Sequence, residues 1–570
     1  MKPQPIRRWD RETALMAWVA GCASVFSFIY YFRHGDILLY GDAVAHINIA
    51  RRVFDSRTPG LLQLGTVWLP LPHLLMIPFL LSGTLWKIGA GGSIPSMVAY
   101  VLGTLGIFRL VRQALDWPRT GTSAAVAAWG AAVIYAANPN LIYLQTTAMT
   151  ESLYLALFIW AAVYLGEFVQ DTCSGERRDK TTSRLMKCGC CLAGACLTRY
   201  DGWFVAVAMC MAVLVIAMRR RPKDKQERSE LYRNVRNFIL LAASGPVFWL
   251  AYNAIVYRNP LEFANGPYSA KAIELRSSNP SHPGKHDLPV AFSYFLKSAE
   301  MNLGPENGQK LWVLFALAGT LVCVIGKAGS TGWLQTGRSE EPAGCRHYWP
   351  LLLLWVPLPF YVLSVAYGAI PIFMPVWWPF SYYNVRYGLE LLPAFAVFSA
   401  LAIYFAAKLA RSRTIGIVVT MGALIFAIAS YATVWRNPVS FREAFINSRS
   451  RIGLERELAS FLRGLPPDSD LLMHLGSHVG AVQDAGIPLK RIINEGNHRT
   501  WKQPVDNEGL WERALADPAR YADYVIAFEG DPVSTEVQKQ GLFSLAVIHV
   551  SGQPKATVYQ TRVSPGNQPR

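Results

Sequence analysis

The sequence predicts an all-α polytopic membrane domain, residues 1–435, followed by an extracytoplasmic α/β domain, residues 436–570. In the first part, apolar runs close to the length of about 20 residues that a bilayer requires recur between basic loops. Beyond residue 436 the chain becomes polar, and its apolar runs shorten to the length of β-strands. A hydrophobic content of 52% and a mean hydropathy of +0.21 also indicate a membrane protein.

Basic residues determine the predicted orientation of the membrane domain. Three of them precede the first apolar run and place the N-terminus in the cytoplasm: Arg7, Arg8 and Arg11. No small-residue cleavage site follows that run, so we expect a retained membrane helix rather than a signal peptide. A second basic cluster is also assigned to the cytoplasm and comprises Arg109, Arg112 and Arg119.

Two apolar segments, 66–82 and 93–112, separate the first outer loop from the second basic cluster, although the charge pattern permits only one crossing. Segment 66–82 contains WLPLPH and then Pro78, and prolines interrupt a spanning helix. We therefore expect a re-entrant or interfacial element there. Eleven crossings follow: 12–32, 93–112, 122–138, 151–169, 188–198, 202–218, 237–257, 310–327, 348–368, 387–408 and 414–435.

Two long loops are predicted at the outer face. Residues 258–309 are rich in Pro, Asn, Ser and Gly and include Lys271. Loops of that length are usually functional lids or disordered segments, and we expect this one to close over a bound substrate. Residues 369–386 are aromatic and proline-rich and include Tyr382. Their aromatic rings predict either a belt at the membrane interface or a platform for a sugar.

The C-terminal part predicts a small α/β domain on the outer surface. An amphipathic helix, Phe441–Leu462, is followed by short apolar runs interleaved with helical or turn-rich stretches. These runs lie at 470–475, 490–494, 523–528 and 543–550.

Composition argues against two other classes of function. The net charge of +17 arises from basic residues distributed among the loops, so we expect no nucleic-acid partner. The cysteine cluster Cys188, Cys190 and Cys191 lies in an apolar helix without a matching His or Cys pair, which favours packing over metal binding. No cofactor is expected.

Asp42 lies just after the first crossing, where a membrane helix gives way to water. Gly41-Asp42-Ala43 predicts the start of a helix, where free N–H groups hold an ionised carboxylate. His46 follows one turn later on the same face. Two interpretations are open at this point: Asp42 is a helix cap, or it is a catalytic group.

The predicted topology brings five ionisable residues to one outer membrane face: Asp42, Glu151, Arg199, Asp201 and Arg386. Ionisable groups at membrane depth are costly unless they are paired or functional. Arginine suits a phosphate, because their contact is charge-assisted and often bidentate, and a neighbouring carboxylate suits a general base. The structural alternative pairs Arg199 with Asp201, or Arg386 with Glu390, for stability alone.

Five motifs, in this order and with this sidedness, resemble the GT-C superfamily of integral-membrane glycosyltransferases: the early Asp of the first outer loop, WLPLPH, TTAMTESLYLAL, LTRYDGW and NVRYGLELLPAF. The resemblance covers residues 12–408. It is to bacterial members that use polyprenyl-phosphate sugars, akin to protein mannosyltransferases and lipid A aminoarabinose transferases. It implies that Asp42 is the catalytic acid, Glu151 the second acidic position and Arg386 a ligand of the lipid phosphate.

One departure bears on metal dependence. Many members carry Asp-Glu in the first loop, whereas Ala43 follows Asp42 here. We predict no metal, with a divalent cation as the alternative.

The expected reaction transfers a sugar from a polyprenyl-phosphate donor to a hydroxyl of a lipid, glycan or protein, with inversion, at the outer face of the cytoplasmic membrane. A phosphate leaving group needs cations rather than an acid, a role expected for Arg386 with Arg199 or Lys271. Asp42 accepts the proton of the acceptor hydroxyl, His46 orients Asp42, and Glu151 positions the substrate. The other candidate substrate-binding residues are His73, Asp201 and Tyr382.

Two other functions remain open from the sequence. A flippase or transporter of a lipid-linked substrate would place charged residues near the bilayer midplane, accessible from both sides. A catalytically inactive GT-C relative would use the outer domain as a binding module.

Overall fold

The computed structural model describes residues 10–115, 122–174, 178–219, 224–277, 281–325, 348–476, 478–497 and 509–561. Arg7, Arg8 and Arg119, on which part of the predicted orientation rests, lie outside these residues.

Long apolar helices dominate the first part of the chain, and short helices connect them. Their bounds are α1 Arg11–His34, α2 Gly41–Arg52, α3 Leu71–Leu80, α4 Gly83–Lys87, α5 Ala90–Ala114, α6 Thr122–Ala136, α7 Pro139–Leu144, α8 Glu151–Ser174, α9 Arg178–Cys196, α10 Asp201–Arg219, α11 Lys225–Tyr257, α12 Glu262–Asn265, α13 Ala270–Ser277, α14 Leu288–Leu303, α15 Glu306–Ile325, α16 Pro357–Tyr367, α17 Leu392–Leu409 and α18 Arg413–Arg436. Four 3₁₀ helices accompany them: Asp36–Leu38, Leu61–Leu64, Trp349–Trp355 and Val385–Leu391.

Nine helical stretches within the described residues are long and apolar enough to cross a membrane. They coincide with the predicted crossings except 122–138 and 188–198. Helix α6 has 15 residues. Helix α9 begins ten positions before the predicted segment, and its first residues are polar, so the apolar pattern did not predict them as part of a crossing. The chain is a multi-pass membrane protein. The count of eleven crossings stays a prediction.

The proline-rich element after the first outer loop forms α3, which has 10 residues and is too short to span a bilayer. Pro72 lies in its first turn and Pro78 inside it, and α3 packs against α2 and α5. A short, proline-limited helix beside Asp42 agrees with the expected re-entrant or interfacial element.

The prediction of one long loop over 258–309 is wrong, because this segment contains α12, α13 and α14. Helix α14 crosses the 3₁₀ helix Val385–Leu391 at Gly388, where any Cβ would collide with the backbone of Ser298 and Ala299. The close crossing fixes the 3₁₀ helix, and with it the segment that carries Arg386.

The C-terminal part begins with α19 Val439–Arg463, in agreement with the predicted amphipathic helix. The strands are β1 Leu471–Met473, β2 Ile492–Ile493, β3 Tyr524–Phe528, β4 Phe543–Ile548 and β5 Ala556–Gln560, in the order β2-β1-β3-β5-β4. β1 pairs in parallel with β2 and β3, and β5 pairs antiparallel with β3 and β4. The four predicted apolar runs correspond to β1–β4, whereas β5 was missed. The remaining helices are α20 Val479–Ala485, α21 Leu510–Ala516, α22 Pro518–Tyr521, α23 Pro532–Val537 and the 3₁₀ helix Leu489–Arg491.

The C-terminal part packs directly onto the first outer segment. Asn48 Nδ2 donates to Gln483 Oε1 at 2.6 Å, and Gln483 Nε2 donates to the Trp86 carbonyl at 2.9 Å. Gln63 Nε2 donates to the Gly496 carbonyl at 2.9 Å. Buried apolar residues of α19 and β1 belong to the same hydrophobic core as those of the membrane helices. The domain boundary at 435/436 remains a prediction. The contacts between the C-terminal part and the first outer segment fix one side of the site described next.

Candidate active site

The candidate active site is assembled where several helical segments begin. Its charged residues are Asp42 in the first turn of α2, Glu151 and Asp201 as the first residues of α8 and α10, Glu443 near the start of α19, Arg386 and Glu390 in the 3₁₀ helix before α17, and Arg199 between α9 and α10. Helix starts present free N–H groups and a positive dipole end, which favour carboxylates. The predicted convergence of distant acids and arginines at one face is therefore present in the structure.

The Arg386 guanidinium is buried and bonded to three carboxylates. Its Nη2 lies 2.7 Å from Asp42 Oδ2, its Nε 3.1 Å from Glu151 Oε1 and its Nη1 2.7 Å from Glu443 Oε1. The Tyr40 and Tyr387 rings lie 4.9 and 5.1 Å from its centre, at cation–π distance. The suggested Arg386–Glu390 pair does not form. Arg386 instead joins three separate parts of the chain.

Glu443 is a site residue that the sequence reasoning missed. Its Oε2 accepts the Val385 N–H at 2.7 Å, while Oε1 contacts Arg386 and accepts from the Tyr40 hydroxyl at 3.3 Å. It was assigned to a separate domain, where no local pattern indicates contact with the membrane helices. The available signal was a glutamate on the buried face of an amphipathic helix, beside Ala444.

Arg199 occupies a second buried position, joined to Arg386 through Glu151. Its Nη1 lies 3.4 Å from Glu151 Oε1, the same oxygen that contacts Arg386. Its Nε lies 3.3 Å from Asp201 Oδ2, so the predicted Arg199–Asp201 pair is present.

Two further groups surround Arg199. Glu390 Oε1 lies 3.5 Å from its Nε. Arg199 Nη2 donates to the Tyr361 hydroxyl at 2.7 Å, and that hydroxyl donates to Asp201 Oδ2 at 2.9 Å. Five carboxyl groups thus surround two guanidinium groups, Arg199 and Arg386.

Exposure distinguishes Asp42 from the other carboxylates. The Asp42 side chain is 43% exposed, whereas Glu151, Asp201, Glu390 and Glu443 are buried. Asp42 Oδ2 bonds to Arg386, and Oδ1 has no partner within the described part of the chain. This carboxylate is therefore held by one oxygen and open to a ligand through the other.

His46 and His73 form a buried pair behind Asp42. The His46 Nδ1 and His73 Nε2 atoms lie 2.8 Å apart, and the His46 ring packs 4.7 Å from Trp68. Burial lowers the pKa of His46 to about 4, so the ring is neutral at physiological pH. His46 lines the cavity, whereas His73 is fully buried behind His46 and is not part of the cavity wall.

A cavity of about 2390 Å³ opens beside Asp42. Its walls come from α2, residues 62–69, α12 and α13, the aromatic segment before Arg386, and the turns after β1 and β2. Lys271 is exposed on this wall. Tyr383 lines the cavity, while the neighbouring Tyr382 does not and instead accepts a hydrogen bond from Asn447 through its carbonyl.

In the part of the chain that the structure describes, no three His, Cys, Asp or Glu side chains are grouped so that they could hold a metal ion. The expectation about metal stays a prediction.

Comparison with known proteins assigns the fold and the class. Residues 75–249 match the family model described as dolichyl-phosphate-mannose-protein mannosyltransferase. The fold is similar to that of ArnT from Cupriavidus metallidurans bound to undecaprenyl phosphate, with a TM-score of 0.54 and 12% identity over 98% of this chain and 99% of that chain. The chain has the fold of the GT-C membrane glycosyltransferases, and the matched family model supports a glycosyltransferase.

The other structural matches are weaker. ArnT in its apo state aligns with a TM-score of 0.52 and 13% identity, over 96% of this chain and 99% of that chain. The apo oligosaccharyltransferase of Archaeoglobus fulgidus aligns with a TM-score of 0.44 and 12% identity, over 92% and 70%. No curated protein sequence matches the chain. The predictions of a GT-C fold and of a glycosyltransferase are confirmed, and the roles of individual residues remain predictions.

Proposed function

We propose that this GT-C enzyme transfers a sugar from a polyprenyl-phosphate donor to an acceptor hydroxyl at the outer face of the cytoplasmic membrane. The observation that carries the proposal is the Asp42 carboxylate, which Arg386 holds at the wall of a large cavity and leaves open through Oδ1. The matched family model, named for dolichyl-phosphate-mannose, and the undecaprenyl phosphate of the ArnT structure support a lipid-phosphate donor.

In the proposed reaction Asp42 is the general base. The acceptor oxygen attacks the anomeric carbon while the bond from that carbon to the phosphate oxygen breaks. The hydroxyl proton passes to Asp42, and the bonding pair leaves with polyprenyl phosphate. A single displacement inverts the anomeric centre.

Arg386 acts in this proposal mainly by positioning Asp42. Each of its three nitrogen positions already contacts a carboxylate, so a phosphate reaches Arg386 only if one of them moves away. Its expected role as a phosphate ligand is therefore less direct than the resemblance implied. Lys271, exposed on the cavity wall, is the better-placed cation of the predicted set for the leaving phosphate.

The remaining predicted residues support Asp42 or line the cavity. Glu151 links the two buried arginines, and Asp201 fixes Arg199 together with Tyr361. Neutral His46, backed by His73, borders Asp42 from the next turn of α2. Of the aromatic segment we assign Tyr383 to the sugar platform, because Tyr383 lines the cavity and Tyr382 does not.

The test is sugar transfer from a polyprenyl-phosphate donor by full-length protein in detergent. We expect Asp42→Asn to lower kcat by about 10²-fold or more, since it removes the base and leaves the shape unchanged. Asp36→Asn is the matched control, because Asp36 lies in the same outer segment but not on the cavity wall. Unchanged turnover in well-folded Asp42→Asn would exclude Asp42 as the base.

A further inference from the structure

The proposed reaction gives no direct task to His73, although its side chain is polar and completely buried. Its Nε2 atom lies 2.8 Å from His46 Nδ1, and His46 lines the cavity. Its Nδ1 atom has no partner among the residues that the structure describes. A polar atom left unpaired in the interior is costly, so packing alone does not account for a histidine at this position.

The elements that carry the two rings fix their geometry. His46 lies one turn after Asp42 on α2, and His73 lies in the first turn of α3, which packs against α2. The His46 ring also packs against Trp68, with 4.7 Å between the ring centroids. These contacts hold the His46 ring between His73 on one side and the cavity on the other.

The short contact between the two rings holds one proton. Both rings are buried, which favours their neutral forms, and a neutral imidazole carries a single N–H. If His46 Nδ1–H donated to His73 Nε2, the single N–H of His73 would be its Nδ1–H, buried without an acceptor. If His73 Nε2–H donates to His46 Nδ1, the unpaired atom is only a lone pair. Buried N–H groups without a partner are rarer than under-used acceptors, so the second arrangement is favoured.

This arrangement determines what His46 presents to the cavity. Because Nδ1 accepts from His73, the proton of the neutral His46 ring lies on Nε2. Nε2 has no partner within the described part of the chain, and it is open to the cavity that His46 lines. Asp42 does not take up this N–H, because its Oδ2 accepts from Arg386 and its Oδ1 stays free. His46 therefore offers an uncharged N–H group to a ligand.

The position of this N–H relative to Asp42 indicates which part of the substrate it meets. Cβ atoms one helical turn apart are about 6 Å from each other, so His46 lies close to the group that reacts at Asp42. The hydroxyl groups of the sugar ring lie within a few bonds of the reacting carbon. An uncharged N–H suits a neutral hydroxyl oxygen. The Trp68 ring beside it also lines the cavity and offers an apolar face against which a sugar ring can pack.

We propose that His46 Nε2–H donates a hydrogen bond to a hydroxyl group of the transferred sugar, and that His73 is the positioning residue that fixes this tautomer. The inference rests on the proposed function and deepens it, because it assigns the sugar, rather than the lipid phosphate, to the part of α2 that follows Asp42. His46 is then a substrate-binding residue, and His73 acts only through His46.

The tautomer is tested on full-length wild-type protein in detergent, with ¹⁵N-labelled histidine side chains. ¹⁵N NMR distinguishes a protonated ring nitrogen from an unprotonated one, and His46→Gln identifies the signals of His46 by their loss. We expect His46 to carry its proton on Nε2 at pH 7.5. An Nδ1–H tautomer of His46 in the wild-type protein overturns the proposal.

Two variants of His73 test its role in fixing the tautomer. His73→Phe keeps a ring but removes the N–H, so both tautomers of His46 should be populated. His73→Gln supplies an amide N–H in place of Nε2–H, so the wild-type NMR pattern should persist. A purely structural role of His73 predicts the wild-type pattern in both variants, and that result would exclude a positioning role.

The contact with the sugar is tested by binding, independently of the chemical step. Full-length protein in detergent is titrated with undecaprenyl phosphate mannose and with undecaprenyl phosphate, and the ratio of the two affinities measures the contribution of the sugar. We expect His46→Phe and His73→Phe to lower this ratio about five- to tenfold, with little change in the affinity for undecaprenyl phosphate itself. His73→Gln should keep the ratio, and so should His549→Gln, which changes an exposed histidine outside the cavity.

Asp42→Asn separates this inference from the proposed function, because it should abolish transfer and leave the affinity ratio unchanged. If the wild-type protein transfers no sugar but the ratio still depends on His46, the proposed reaction fails and the sugar contact stands. An equal ratio in wild type and His46→Phe overturns the sugar contact, whatever the outcome for Asp42→Asn.

Discussion

Glu443 joins the side chain of Arg386 to the backbone of the residue before it. One carboxylate oxygen lies 2.7 Å from Arg386 Nη1, and the other accepts the Val385 N–H, also at 2.7 Å. This pair of bonds fixes both the 3₁₀ helix and the guanidinium that it carries. Helix α19 thereby sets the direction from which Arg386 approaches Asp42.

The first prediction concerns this positioning. Glu443→Gln should lower kcat about tenfold or more while changing the donor KM little, because the amide loosens Arg386 but keeps the shape of the cavity wall, to which Glu443 contributes. Glu443→Asp, which keeps the charge, should recover part of the loss. Steady-state rates in detergent measure both. Glu457→Gln, an exposed change on the same helix, is the control and should behave as wild type. A rise in KM alone would contradict a positioning role.

The second prediction concerns acid stability. Burial lowers the pKa of His46 to about 4 in the folded protein, against 6.5 ordinarily. Arg386 and Arg199 act in the same direction, and Asp42 and Glu151 oppose the shift. Between these values the unfolded chain binds more protons than the folded one, so stability falls as pH falls from 6.5 towards 4. When this contribution of His46 is lost completely, the free energy of unfolding falls by about 3 kcal/mol.

Apparent Tm at pH 7.5 and pH 5 measures this effect. His46→Gln should show a smaller acid-induced drop than wild type, and exposed His549→Gln should show the same drop as wild type. His478, whose pKa burial also lowers to about 4, accounts for part of the drop that remains. An identical drop in His46→Gln and wild type would remove His46 as a source of acid sensitivity.

The third prediction concerns the crossing of α14 and the 3₁₀ helix. Gly388→Ala should destabilise the protein by about 1–3 kcal/mol, because its Cβ meets the backbone of Ser298 and Ala299 rather than a movable side chain. The displaced 3₁₀ helix should also lower kcat through Arg386. Tm and transfer rate are measured on the same samples.

Gly422→Ala on α18 serves as the control for Gly388→Ala. No atom lies within 4 Å of a Cβ at Gly422, so alanine there should be neutral or slightly stabilising. Equal Tm for the two variants would show that the crossing tolerates a side chain.

Charge asymmetry allowed much of the site to be predicted from the sequence. Basic loops and the parity of the apolar runs placed Asp42, Glu151 and Arg386 at one face, and in the structure both carboxylates contact Arg386. Those signals are local in the chain and strong, because the bilayer imposes them on every crossing.

The missed features depend on contacts between distant segments. Glu443 reaches the site because α19 folds back over the membrane helices after Pro438, and no periodicity within α19 reveals that docking. Within 258–309, α12 and α13 have only 4 and 8 residues, so the composition of the segment suggested a loop.

The location of Glu443 has a consequence for biosynthesis. Since this side chain comes after α18, the ribosome supplies it only once the described membrane helices up to α18 have been translated. A nascent chain that has inserted fully into the bilayer still lacks one of the three carboxylates around Arg386. The set of contacts around Arg386 is therefore completed only after α18 has been synthesised.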